Sequence, residues 1–119
     1  MARSLLIVCR QAPWSGPGAR EALDIALAGG AFELPLAVLF LDDGVFQLQG
    51  GQHAAAVQQK DLTANLQALP LFGVDALFAC RQSLDIRGIG EHELNLPVQS
   101  LDRPQLTALL ADYDEVITL

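Results

Sequence analysis

Apolar residues in this chain fall in short unbroken runs separated by stretches of helical spacing. Leu36-Ala37-Val38-Leu39-Phe40-Leu41 contains no polar residue and no alternation. That pattern marks a strand buried on both faces, and such strands belong to parallel sheets covered by helices. Ser4–Cys9 and Asp75–Cys80 read the same way, Asn95–Gln99 is a candidate short fourth strand, and Glu115–Leu119 a last one. Helical patterns lie between them. Ala19–Ala28 places Leu23, Ala26 and Leu27 on one face, with Ser15 or Gly16 as cap, Pro17 near the first turn and Gly29-Gly30 as the stop. Ala54–Leu69 is anchored by Val57, Leu62, Leu66 and Leu69 and ends at Pro70; Ser83 to Arg87 is a short helix closed by Gly88. Asp102 caps a helix over Arg103–Ala111, with Pro104 in its first turn. Strand and helix alternate throughout residues 1–119. The prediction is a single α/β domain: a three-layer sandwich with a mostly parallel sheet of about five strands and helices on both faces.

Composition narrows the function. Fourteen acidic and seven basic side chains give a net charge of −7. Phosphate binding is driven by Lys and Arg neutralising charge, so direct gripping of nucleic acid is not expected. Hydrophobic residues make up 51% and charged residues 18% of the chain. Mean hydropathy is +0.32. So small a body has little interior in which to hide that much apolar surface. The excess belongs either to a Leu- and Ala-rich core or to a contact with a partner subunit. No apolar run approaches membrane-spanning length, and Leu5–Cys9 is too short for a signal core. The expected location is the cytoplasm, where Cys9 and Cys80 should be thiols.

The candidate chemistry sits where apolar strands stop. In open parallel sheets, ligands and partners gather at the carboxyl ends of the strands. Asp42-Asp43-Gly44-Val45-Phe46-Gln47-Leu48 follows one strand directly. It is either a plain turn or a functional loop. Neighbouring carboxylates on an extended chain point opposite ways, so Asp42 and Asp43 suit loop ordering better than metal binding. Phe46 with Val45 and Leu48 offers a partner contact, unless the segment folds inward as core. Cys80 ends another strand just before Arg81-Gln82-Ser83 and the start of a helix. A helix amino terminus and a neighbouring Arg both favour thiolate, which makes a cysteine nucleophilic; the plain alternative is a small buried hydrophobe. Cys9 reads as core. His53 reads as solvated, and Glu91-His92-Glu93 lacks the helical His spacing of a metal motif. Gly16-Pro17-Gly18 lacks the endings of phosphate-binding loops, so no cofactor is expected.

Taken in order, these features resemble one family. They are Pro13, Gly18, Arg20, Glu21, Leu23 and Asp24; then Asp43-Gly44-Val45-Phe46-Gln47-Leu48; Gly51-Gln52; Asp61; Cys80 before Ser83-Leu84; and the closing Leu110-Ala111-Asp112-Tyr113-Asp114. The chain is similar to the DsrE/DsrF family over almost its whole length, and most to the TusC (DsrF-like) branch. The resemblance implies a subunit of a cytoplasmic sulfur-relay heterohexamer, with TusB-like and TusD-like partners. Such a complex relays persulfide sulfur from donor to acceptor proteins towards 2-thiolation of the tRNA wobble uridine; related members serve sulfur oxidation. The family's main sulfur-carrying cysteine belongs to the TusD/DsrE subunit. It follows the same strand that ends here in Cys80. The resemblance therefore leaves two roles open: a scaffold subunit with Asp43, Gly44, Val45, Phe46 and Gln47 as interface candidates, or a persulfide carrier through Cys80.

Overall fold

The structure is a computed structural model and describes residues 4–12, 17–32, 35–48, 67–74, 76–90, 94 and 96–119. Five strands, β1 (Leu5–Cys9), β2 (Leu36–Phe40), β3 (Ala76–Cys80), β4 (Gln99–Leu101) and β5 (Glu115–Thr118), form one sheet in the order β4-β3-β2-β1-β5. Every pairing is parallel. Cys9 lies opposite Phe40, Phe40 opposite Ala79, and Cys80 opposite Leu101. The carboxyl ends of the strands therefore share one edge.

Side chains alternate across the sheet because successive Cβ atoms on a strand point to opposite faces. Ile7, Cys9, Val38, Phe40, Leu77 and Ala79 meet Ala22, Leu23 and Ala26 of helix α1 (Gly18–Ala31) on one face. Leu84 of helix α2 (Arg81–Ile86) joins that layer. Leu6, Val8, Ala37 and Leu39 face the other way, towards Leu106 and Leu109 of helix α3 (Arg103–Asp112) and Tyr113, which caps its end. Both faces are thus covered, unequally: α3 has no fully buried residue. The unbroken apolar runs of the strands follow from this double coverage. Among the described residues no helix is long and apolar enough to cross a membrane.

The ends of β5 are tied to β1. Ser4 N–H donates to Asp114 Oδ2 (2.8 Å), Asp114 N–H donates to Ser4 Oγ (3.0 Å), and Glu115 N–H donates to Ser4 O (3.0 Å). At the far end Arg10 N–H donates to Leu119 O (2.9 Å). Asp114 therefore ties the start of the last strand to Ser4.

Several elements differ from the sequence reading, among them the cap of α1, which is Pro17 rather than Ser15 or Gly16. Helix α1 does not stop at Gly29-Gly30 but continues to Ala31, and the N–H of Phe32 closes its last turn. Both glycines are buried, so tertiary packing offsets the roughly 1 kcal/mol that each glycine costs a helix. β4 lies at Gln99–Leu101 rather than Asn95–Gln99. Pro97 has no N–H for a ladder, and Val98 N–H donates to Leu96 O (2.9 Å), which folds that stretch into a tight turn. The loop after β2 is a 3₁₀ helix, Asp42–Leu48. Helix α2 starts at Arg81, directly after β3, instead of at Ser83. The Asp102 cap holds as read: its carboxylate accepts from Gln105 N–H (3.0 Å), and Gln105 Oε1 accepts from Asp102 N–H (2.9 Å). Most of the Ala54–Leu69 helix pattern, His53 and Glu91-His92-Glu93 lie outside the described residues; Pro70 sits in a second 3₁₀ helix, Leu69–Phe72.

Candidate functional site

Cys80 is both the last residue of β3 and the cap residue of α2, and its Sγ accepts a hydrogen bond from Ser83 N–H (3.4 Å). Cysteine is not a usual capping residue. Cys80 is 5% exposed and Ser83 4%. Both line an open cleft of about 570 Å³. Leu41, Leu101 and Leu106 form its apolar walls, and Ile86, Arg87 and Arg103 stand towards solvent.

The Asp42–Leu48 segment leans on this cleft. Asp42 has a left-handed backbone (φ 52), a conformation that Asp tolerates better than most residues because its short side chain can hydrogen-bond locally. Its N–H donates to Ser83 Oγ (3.0 Å), and its carboxylate takes Arg10 Nε (2.8 Å) and Nη2 (2.6 Å). Asp43 instead accepts from Arg87 Nε and Nη2 (both 2.9 Å). The two adjacent carboxylates do point opposite ways, one to the end of β1 and one to α2. The Arg10–Asp42 pair is about half exposed, while in the other pair Asp43 is exposed and Arg87 mostly covered; each adds at most about 1 kcal/mol to stability. Their structural effect is to fix the loop against both neighbours. Arg87 also donates to Ser83 O (3.3 Å). Ser83 therefore joins the sulfur, the Asp42 backbone and Arg87 in one network.

Three members of the Asp42–Leu48 segment turn inward. Val45 and Leu48 are fully buried in the core, and Gln47 is 3% exposed. Gln47 Nε2 donates to Gln11 O (2.9 Å), while its Oε1 has no partner among the described residues. Gly44 is buried against the backbone of β1, where a Cβ would overlap the Cys9 carbonyl. Phe46 is half-buried against the core, and Asp43 is exposed. Of the five interface candidates, Asp43 and Phe46 are the ones with surface to offer, whereas Gly44, Val45 and Gln47 hold the loop to the body.

The two cysteines are both free thiols, and both are buried. Cys9 lies in the first core cluster, and burial pushes its thiol up to about 12. It stays protonated and packs as a small hydrophobe. Cys80 differs by facing the cleft.

A family model described as DsrE/DsrF-like matches residues 3–119. The chain belongs to the DsrE/DsrF-like family. It is 65% identical over 119 residues to a Pseudomonas aeruginosa protein named "Protein TusC homolog", covering 100% of both chains. A Vibrio vulnificus protein of the same name is 32% identical over 114 residues, covering 96% of this chain and 97% of that protein. The "Intracellular sulfur oxidation protein DsrF" of Allochromatium vinosum is 35% identical over 92 residues, covering 77% of this chain and 68% of that protein. Among solved structures, the ychN protein from E. coli superposes with a TM-score of 0.81 at 24% identity, and each chain is covered to 100%. That likeness concerns the fold: a parallel α/β domain of the DsrE type. The segment Asp43 to Gln47 packs beside the cleft that holds Cys80.

The sequence reading had both Cys80 and Asp43 at one sheet edge, and the structure joins them through Arg87. It missed Ser83, Arg10 and Arg87 as partners. These contacts span 32 to 44 positions along the chain. No local pattern encodes a pairing over such a separation.

Proposed function

We propose that this chain is a cytoplasmic subunit of a sulfur-relay complex that passes persulfide sulfur towards 2-thiolation of the tRNA wobble uridine, working as an interaction subunit beside TusB-like and TusD-like partners. The observation that carries this reading is the 65% identity to a TusC homologue along the whole chain. Two structural features support the assembly. The second face of the sheet is covered by half-buried side chains of α3 alone among the described residues. Leu110 and Val116 are each 42% exposed in that same α3–β5 region. Phe46 and Asp43 offer a second contact at the carboxyl edge.

A tagged copy expressed with its TusB-like and TusD-like neighbours should co-purify with both, and light scattering should give the mass of a hetero-oligomer. A well-behaved monomer that ignores both partners would refute the assembly.

The cleft favours a second reading, in which Cys80 itself carries sulfur. Its thiolate would attack the outer sulfur of a partner's persulfide. The S–S bond to the partner breaks, an S–S bond to Cys80 forms, and the partner leaves as thiolate; no oxidant is consumed. Incubation with a persulfide donor followed by intact-mass measurement should add sulfur to wild type and not to Cys80→Ser. Relay at the wild-type rate by a complex containing Cys80→Ser would leave the scaffold role and remove the carrier role. The likeness to DsrF keeps sulfur oxidation as the alternative acceptor pathway, and assaying tRNA thiolation in cells lacking the chain separates the two.

A further inference from the structure

The chain is acidic, yet its basic side chains are not evenly spread. Arg10, Arg81, Arg87 and Arg103, four of the seven, lie at the carboxyl edge of the sheet. Arg10 is neutralised by Asp42 and Arg87 by Asp43. Arg103 lines the cleft, is exposed, and its guanidinium has no hydrogen bond or ion pair among the described residues. The neighbouring Asp102 carboxylate is occupied in capping α3. Arg103 also opens that helix, and a helix amino terminus is a place where the macrodipole disfavours a cation. Stability alone would put an acid there. Beside the cleft stands Ile86, an apolar side chain 71% exposed to solvent. Cys80 lies below both, recessed at 5% exposure, so a flat protein surface could not reach it.

We infer that the cleft over Cys80 is a docking site for an extended acidic segment of a protein partner, with Arg103 taking a carboxylate and Ile86 packing on an apolar side chain next to it. Charge complementarity selects this occupant. The −7 body repels acidic chains in general, and an uncompensated guanidinium on the lining of a thiol-floored cleft gives a place where such a chain is held. A planar guanidinium also fits a carboxylate in a two-pronged geometry that Lys lacks. The identity of the partner as a sulfur-relay protein rests on the function proposed above; the docking itself does not require sulfur transfer.

The test uses the 119-residue chain, together with any subunits that co-purify, and a fluorescent peptide of the pattern acid–apolar–Cys–acid, read by anisotropy. The controls are the same peptide with amides for acids, and one with Lys for acids. Wild type should bind the acidic peptide, and binding should weaken as salt rises. Arg103→Glu should lose about tenfold or more in affinity, equivalent to about 1.4 kcal/mol, with Arg103→Lys in between. Ile86→Ser should weaken binding several-fold. Arg20→Glu, an exposed change on α1, should leave it unaltered, and no variant should melt below wild type. A failure of sulfur loading by wild type with intact peptide binding would count against the relay reading alone. Equal binding of the amide peptide, no binding of the acidic one, or wild-type affinity in Arg103→Glu would overturn the inference. So would displacement by sulfate at an ionic strength where chloride has no effect, since that would reassign the cleft to small anions.

Discussion

Gly44→Ala separates local from tertiary physics by the sign of its effect. Gly44 does not have a left-handed backbone; among the described glycines only Gly73 and Gly88 do. Local rules alone therefore favour the substitution, since Ala reduces the entropy of the unfolded chain and should stabilise by about 0.4–1 kcal/mol. The tertiary contact says the opposite. A Cβ at Gly44 would overlap the Cys9 carbonyl, which already accepts from Leu41 N–H at 2.9 Å. Backbone on both sides leaves no flexible side chain to move aside. Forced separation should cost about 1–3 kcal/mol as overpacking and roughly 1 kcal/mol for the weakened Leu41–Cys9 hydrogen bond. The net expectation is a loss of about 2–3 kcal/mol, or a melting temperature lower by roughly 10 °C for a domain of this size. Gly73→Ala is the comparison: it has open space but a φ of 86, so strain alone should cost about 1–2 kcal/mol. Urea unfolding followed by circular dichroism measures both. If Gly44→Ala proves as stable as wild type, or more so, the claim that this glycine exists to let the 3₁₀ helix rest on β1 is wrong. The order of the two variants is a second check, since Gly44→Ala should be the worse.

Asp102→Ala should lower the urea midpoint by an amount equivalent to about 1 kcal/mol, because it removes the reciprocal cap of α3; an unchanged midpoint would mean that α3 is held by packing alone. Stability should fall at alkaline pH. The Cys9 thiol ionises near 9.0 when unfolded and near 12 when folded, so the unfolded chain sheds its proton first, and stability declines from about pH 9 upward at up to about 1.4 kcal/mol per pH unit. Tyr113, raised by burial and then by the Asp112 charge, adds in the same direction above its ordinary value of 10.0. Cys9→Ala should flatten the alkaline limb, and an unaltered limb would show that Cys9 is not what causes it.

The sequence by itself determined the layer plan. Unbroken apolar runs such as Leu36–Leu41 have no polar face to give to water, so they require cover on both sides and hence a parallel sheet between helices. It also determined the Asp102 cap, because capping is a contact between near neighbours. The divergence of Asp42 and Asp43 was legible for the same reason. Only the tertiary structure decided what depends on distant residues. Helix α1 runs through Gly29-Gly30 because burial outweighs propensity. β4 is displaced because Pro97 and the Leu96–Val98 turn interrupt the ladder. Val45, Gln47 and Leu48 turn inward, although their composition equally suits a surface contact, because Gly44 lets the loop settle on the Cys9 backbone. Ser83 meets Asp42 and Arg87 meets Asp43 across 41 and 44 positions of chain. Hydrophobic periodicity reports which face of an element is buried; it carries no information on which side chain from another element will meet it there.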